Sequence, residues 1–549
     1  MIPRSVFLVS KSDISELSGS IMTGYGISQK NIIFGTNGLR DLERRESSYE
    51  VPNEGRFCGI FIQGKHAIIR TDSTGQELLF LFESGEYWCV SNSFMVLLNH
   101  VSKSHQLELN PIPIHGLHLK NGRHIGEQLI SHRTMVNSIR VLPITSHLQV
   151  DMTNGKIKEI RVPYLEMFPR ITSDEYVSLM SDFLSNGIGI IQAFRDLGLS
   201  SKLLLSGGYD SRLVLCMFLE TKSQSPVRIQ SFTHKKDDLK VATSLCKLHN
   251  LSLNSPGPSR RNTISPKRAM DLHEMSSFGA YLPFYYPISD GRQSDFEMVL
   301  TGDQPTGWSH FAGNYLFNGD AKKIHNDILN YLSDRGTGEI VASDFLTTFD
   351  ELGIDPEDPA AMMMHYSSIR SRFHCGRHWA KSLGNQYLVT PLTQSTIISL
   401  DMFNAINGYH PTKFFIDAYS AFDDWALSQP FETPDRALDK DLIQTSPMAN
   451  RGKIQPTKFQ IYGDLNDPPY LAEGEQFGTT PLTDEMMRDQ IRTMFKQVNK
   501  YNLEEFFTSE DFRQAEIELE ETGRLSQDYR KTMHIISTDK IQKIIQSTK

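Results

Sequence analysis

From residue 1 to about 165 the apolar positions fall in short runs broken by turns. Phe57-Cys58-Gly59-Ile60-Phe61-Ile62 is apolar at successive positions, so both faces of that strand must be covered. His66 to Arg70, Leu78 to Phe82 and Tyr87 to Val90 follow closely, and a further pair spans Ser138 to Leu142 and His147 to Asp151, parted by Pro143. This spacing predicts stacked antiparallel sheets. The texture changes near Pro163. Thr172-Ser173-Asp174-Glu175 is a capping-box signature. Val177, Met180, Phe183, Leu184, Ile188, Ile191 and Phe194 then recur at helical spacing, predicting a core-facing helix that ends near Gly198. A strand from Lys202 to Leu205 leads into Ser206-Gly207-Gly208-Tyr209-Asp210-Ser211 and an apolar run from Arg212 to Leu219. A strand at 227–233, a helix at 238–249 and a strand from Phe296 to Thr301 continue the alternation, which predicts a parallel sheet with covering helices. The remainder reads mostly helical, and within 484–499 Met487, Ile491, Met494, Phe495 and Val498 mark one face. Stretches 253–268 and 426–470, rich in Ser, Pro, Asn and Gly, read as loops, and no internal repeat is present.

Length and charge narrow the classes. A chain of 549 residues exceeds the roughly 250–300 that one core supports, so two or three domains are expected. Lys and Arg number 56 against 65 Asp and Glu, a formal charge of −9 that argues against nucleic acid as a partner, because phosphate contacts need a basic face. Cys58, Cys89, Cys216, Cys246 and Cys375 form no close pair and read as buried thiols of a reducing compartment. The apolar stretch at the start is too short for a signal peptide. No other run approaches the ~18 residues needed to span a bilayer. The expectation is a cytoplasmic protein with no membrane partner.

The segment that carries chemistry is Ser206 to Ser211, set between a strand and a helix. Two glycines let the backbone turn with N–H groups inward, Ser206 and Ser211 add hydroxyls, and the helix N-terminus adds partial positive charge. Such a loop suits a phosphate or pyrophosphate. It lacks the Lys of a Walker A loop and the spacing of a dinucleotide fingerprint. Asp210 inside an anion cradle is repulsive unless a divalent cation bridges it to the phosphates, so a Mg²⁺–ATP site is implied.

This motif resembles the pyrophosphate loop of the ATP pyrophosphatases, and the chain resembles the asparagine synthetase family over roughly residues 50–455. Ser231-Phe232-Thr233 with Asp238 to Ala242, Val299 to Asp303, and Tyr387 to Leu392 with Ser399-Leu400 are similar to later family segments in the same order. Gly59-Ile60-Phe61, Asp72-x-x-Gly75, Val90 to Ser93 and Ile139-x-x-Leu142-Pro143 fall where the family's glutaminase-type domain has similar residues. The resemblance implies an α/β protein with two parts. Residues 1–165 would form an αββα sandwich of Ntn-hydrolase type, and 166–549 an α/β parallel-sheet pyrophosphate-loop synthetase domain with many helices. It implies adenylation of a carboxylate by ATP, releasing pyrophosphate, and displacement of AMP by an amine. In that scheme Ser206, Gly207, Gly208 and Ser211 hold pyrophosphate, Ser231 and Thr233 contact the nucleoside, Asp210 and Asp303 hold Mg²⁺, Asp303 assists proton transfer, and Lys453 of Arg451-x-Lys453 stabilises charge. The partners implied are a carboxylate and an amine, and a homodimer is left open.

Two departures shape the expectation. Glutamine-hydrolysing members expose a cysteine at position 2, where this sequence has Ile2. Neither Cys58 nor Cys89 can supply the terminal amine that acts as base, so the N-terminal part is expected to be a degenerate glutaminase-type scaffold, as in the β-lactam synthetases and lasso-peptide cyclases. In Thr301 to Thr306, Thr306 falls where the family has a metal-binding Asp, which leaves Asp303 to take over that role at a higher Mg²⁺ requirement. Asparagine synthesis from free ammonia and a nucleotide-binding pseudoenzyme scaffold are the rival readings, while RNA thiolation is disfavoured by charge and cysteine spacing. His374, Cys375 and His378 share a helical face without a fourth ligand and read as an ordinary helix. Arg370, Arg372 and Arg377 read as solvated or carboxylate-paired.

Overall fold

The computed structural model describes residues 6–46, 49–119, 125–222, 225–255, 264–286, 297–306, 321–377, 379, 386–449, 451–463, 482–520 and 525–547. The chain is mixed α/β. Ten strands precede residue 165: β1 Leu8–Ser10, β2 Ile21–Ser28, β3 Asn31–Phe34, β4 Glu54–Gln63, β5 His66–Thr71, β6 Phe80–Ser84, β7 Tyr87–Ser91, β8 Ile139–Val141, β9 Ser146–Asp151 and β10 Ile157–Arg161. They build two facing sheets, one in the order β1-β7-β6-β8 and one in the order β10-β9-β5-β4-β2-β3. All pairings among these ten strands are antiparallel.

The doubly apolar β4 is covered as its pattern requires. Cys58 and Ile60 point between the sheets, beside Ile69, Leu81, Trp88, Val90 and Leu148. Phe57 and Phe61 point the other way, with Leu39 and Leu42 of helix α1 (Gly35–Arg45). Helix α2 (Phe94–Val101) covers the outer face of the smaller sheet. The layers therefore run helix, sheet, sheet, helix. β2 escapes the sequence pattern because Gly24 and Gly26 interrupt its apolar positions.

The second half carries a four-stranded parallel sheet of β11 (Ser200–Leu204), β12 (Val227–Gln230), β13 (Glu297–Leu300) and β14 (Gln386–Val389), in the order β12-β11-β13-β14. Helices α3 (Ser173–Asp196), α4 (Tyr209–Leu219), α5 (Lys236–Leu248) and α6 (Ser395–Ile406) accompany it. The capping box forms at the start of α3: Glu175 N donates to Thr172 Oγ1, and Thr172 N donates to Glu175 Oε2 at 2.8 Å. Met180, Phe183, Leu184, Ile188, Ile191 and Phe194 are buried on one face of α3. Helices α7 (Asp484–Phe495), α8 (Ser509–Glu520) and α9 (Arg530–Gln546) pack with α2 and the helix Pro266–Ser277. Met487, Ile491 and Phe495 are the buried face of α7, with Met494 partly buried. Among the described residues no helix is long and apolar enough to cross a membrane.

The halves interpenetrate. Part of the 426–470 stretch, read as loop, is a strand: β15 (Gln460–Tyr462) pairs in parallel with β3 and becomes the edge of the larger N-terminal sheet. The arginines of 370–377 are buried and, among the described residues, hydrogen-bond to no carboxylate. Arg372 donates to the carbonyl of Leu142 at 2.9 Å, Arg370 to Gln128, and Arg377 to Ser277 and the carbonyl of Phe373. Arg372 and Arg370 tie the halves together through Leu142 and Gln128, whereas Arg377 bonds within the second half, and burial pushes the Arg372 pKa down to about 10. His374 bonds Tyr281 at 2.7 Å, Cys375 is buried, and His378 lies outside the described residues. No cluster of three metal-ligating side chains forms among the described residues.

The seam at β15 is tight. A Cβ on Gly38 of α1 would lie 2.5 Å from the carbonyl oxygen of Tyr462, whereas one on Gly19 would meet nothing within 4 Å. Gly38→Ala should therefore cost about 1–3 kcal/mol by overpacking, while Gly19→Ala stays near neutral. Denaturant melts of both variants check this, and equal midpoints would contradict it.

Candidate functional site

The strand order sets the place. The chain leaves β11 for β12 on one side and then crosses to β13 on the other, so a crevice opens between the C-terminal ends of β11 and β13. Parallel α/β sheets take ligands at such a reversal. Ser206 to Ser211 enters the crevice from β11, and Gly302 to Thr306 enters it from β13.

The two segments touch through a glycine. A Cβ on Gly302 would stand 2.6 Å from Asp210 Cβ and 2.9 Å from Ser211 N. Only a residue without a side chain lets the exit of β13 lie against the first turn of α4. Gly208 is the N-cap of α4 and supplies no side-chain cap. The loop is braced by its own hydroxyls: Ser206 N donates to Ser211 Oγ at 3.0 Å and Gly208 N to Ser206 Oγ at 3.2 Å, while the two hydroxyls lie 3.0 Å apart. Gly207 N donates to Asp238 Oδ1 at 2.9 Å. Each N–H from 206 to 208 thus has a side-chain oxygen as partner, one of them a carboxylate.

Asp210 is only 5% exposed, and Gln304 Nε2 donates to its Oδ1 at 2.6 Å. Thr306 Oγ1 lies 3.4 Å from Gln304 Oε1 and donates to Asp401 Oδ2 of α6. Asp401 and Thr306 are both at 0% exposure. Burial, reinforced by the charge of Asp210, pushes the Asp401 pKa up to about 7, against the pull of the Thr306 hydrogen bond. Thr306 is accordingly spent on a buried contact, and an Asp there would set a second carboxylate against Asp401. Asp303 is half-buried, and its carbonyl accepts from Thr393 Oγ1 at 3.0 Å. The charges of Asp303 and Asp210 each act on the buried Tyr366 phenol, whose pKa is raised first by burial. It is Gln304, however, that reaches Asp210.

The remaining expected residues divide. Ser231 follows β12, which pairs with β11 through Gln230 and Leu204, so it stands one strand away from the loop. Ser231 and Thr233 line a cleft of about 340 Å³. Lys453 is not brought to the loop: it is exposed and pairs with Glu220 at 2.8 Å, at the far end of α4, roughly 16 Å away at 1.5 Å per residue. That pairing raises its pKa. The loop is instead overlain by Glu432, whose Cβ lies 2.7 Å from where a Gly207 Cβ would be, and by Arg436, whose Nη1 lies 3.7 Å from the equivalent point on Gly208. Both belong to the aperiodic stretch read as loop, where no sequence signal marks them. Ile2 lies outside the described residues. Cys58 and Cys89 are buried, and burial raises both thiol pKa values, that of Cys89 to about 12. No family model and no curated protein matches the chain.

Asp401 gives a pH signature. Its raised pKa means that the folded chain keeps a proton which the unfolded chain has released between about pH 4 and 7, so stability falls as pH rises through that window and levels off above it. Asp401→Asn should lose less stability than the parent between pH 5 and 8. Denaturant midpoints at the two pH values check it, and an identical drop in both proteins would contradict it.

Proposed function

We propose that this chain is an ATP-dependent ligase that forms AMP and pyrophosphate while joining a carboxylate to an amine without hydrolysing glutamine. The reading rests on one observation: a Ser-Gly-Gly-Tyr-Asp-Ser loop at the mouth of the β11–β13 crevice, opening a helix whose first turn has no side-chain cap. A helix N-terminus in that position attracts phosphate. Its fit to a divalent cation comes from the donor set, since Asp210 and Asp303, on the two segments that enter the crevice, offer hard oxygen ligands. Mg²⁺ bound there would neutralise charge between carboxylates and phosphates. The residues of the chain hold the triphosphate at 206–211 and the nucleoside side at Ser231 and Thr233. The substrate carboxylate oxygen attacks the α-phosphorus, pyrophosphate leaves, and the amine nitrogen then takes the acyl carbon from AMP.

The layer order of the N-terminal half supports a degenerate glutaminase-type sandwich serving as a scaffold, and the buried Cys58 and Cys89 offer no nucleophile. Free ammonia as the amine would make the reaction asparagine synthase-like. One observation favours a nucleotide-binding scaffold without catalysis: Lys453, expected to stabilise charge at the loop, is paired with Glu220 elsewhere.

Pyrophosphate exchange separates these readings. With a cognate carboxylate, the parent should exchange labelled pyrophosphate into ATP. Asp210→Asn should lower that rate on the order of 100-fold or more at an unchanged melting temperature. Exchange by Asp210→Asn at the parent rate would overturn the site, and ATP binding with no exchange for any carboxylate would favour the scaffold.

A further inference from the structure

The strap that crosses the loop has a fixed backbone and two charged side chains of opposite sign. Its base is held by Arg212 of α4, fully buried, which donates to the carbonyls of Ala426, Gln429 and Pro430 and lies 3.6 Å from the centre of the Phe431 ring. Its far side is held by Tyr209, whose hydroxyl donates to the carbonyl of Arg436 at 2.7 Å and whose ring packs on Phe431 at 4.6 Å. Tyr209 and Arg212 flank Asp210 and Ser211, so the strap is anchored to the turn that opens α4. Between the anchors, Glu432 and Arg436 pair at 2.7 Å. The second carboxylate oxygen of Glu432 is buried, makes no hydrogen bond among the described residues, and lies 3.1 Å from where a Cβ on Gly207 would be.

Resting on the nucleotide reading above, we infer that Arg436 is the cation that binds the polyphosphate and that Glu432 is an internal anion holding its place until the polyphosphate arrives. Three carboxylates, Asp210, Asp238 and Glu432, crowd a loop whose glycines and helix N-terminus favour an anion. Asp238 has the Gly207 N–H and lies 3.6 Å from Lys235, and Asp210 has Gln304. Glu432 alone is held chiefly by a guanidinium that a phosphate could take over bidentately. Lys453 cannot serve, being at the other end of α4. Because both ends of the strap are pinned, the exchange needs only a change of side-chain rotamers. Glu432 turns outward, where its side chain is already 17% exposed, and Arg436 closes on the phosphate. Free pyrophosphate and the phosphates of ATP share the recognised chemistry.

Calorimetric titration of Mg·ATP and of Mg·pyrophosphate onto the full chain tests this in the parent, Glu432→Gln, Arg436→Ala and Arg436→Lys. Loss of a charge-assisted hydrogen bond predicts that Arg436→Ala weakens both ligands roughly 10- to 100-fold, with Arg436→Lys between it and the parent. Removing the competing ion pair predicts that Glu432→Gln tightens both roughly 2- to 5-fold. Melting temperatures should stay near the parent, since Tyr209 holds a backbone carbonyl that Arg436→Ala retains. If the parent binds Mg·ATP and all three variants bind it equally well, the strap has no such role although the nucleotide reading stands. If the parent binds neither ligand, the nucleotide reading itself fails. Weakening for ATP without weakening for pyrophosphate would place Arg436 on the nucleoside side and overturn the assignment.

Discussion

Asp210 is a carboxylate in a buried turn, and much of the surrounding structure meets the cost of keeping it there. A buried charge is tolerated only with hydrogen-bonded partners. The start of α4 contributes partial positive charge, and Gln304 contributes an amide N–H at 2.6 Å. Gln304 can aim its nitrogen at Asp210 because its oxygen lies beside the Thr306 hydroxyl, which in turn is fixed by Asp401 on α6. The exit of β13 must then run against α4, and Gly302 is the residue that allows it. Loop, strand exit and a later helix are thus one connected polar unit inside an apolar core. The raised pKa of Asp401 follows, since the same burial that secures Asp210 disfavours a second charge nearby.

That unit sits in a chain whose halves are not independent. β15 returns from beyond residue 459 to close the N-terminal sheet, and Arg56 of β4 reaches Thr390 beyond β14 at 2.9 Å while fully buried. Asp72, which accepts from the N–H groups of Thr74, Gln76 and Glu77, holds the turn through which Glu77 accepts from Trp379 N. The N-terminal sandwich therefore helps set the position of the segments that approach the crevice. A role as scaffold requires no more of it.

What the sequence disclosed follows physical lines. Helix α3 and strands β4 to β9 were legible because burial on a defined face imposes a period. The turn at 206–211 was legible because two glycines and flanking hydroxyls separate a short apolar run from a longer one, which marks a strand-to-helix turn. Glu432, Arg436 and Asp401 were not. The first two lie in a stretch without periodicity, held by Arg212 bonds to carbonyls that any sequence supplies. Asp401 sits in an apolar helix where a lone acid gives no hint of a Thr306 partner almost a hundred residues earlier. Lys453 was misplaced for a related reason: two basic residues in a loop carry no information on which end of α4 they meet.

On the function proposed above, a nucleotide phosphate binds in the β11–β13 crevice. Hydrogen–deuterium exchange of the full chain with and without Mg·ATP tests it without knowledge of the acyl substrate. Nucleotide binding there should slow amide exchange in the peptides covering 204–212, 230–238, 299–306 and 429–437 and leave the N-terminal sandwich unchanged. No protection at saturating nucleotide, or protection only outside those segments, would contradict it.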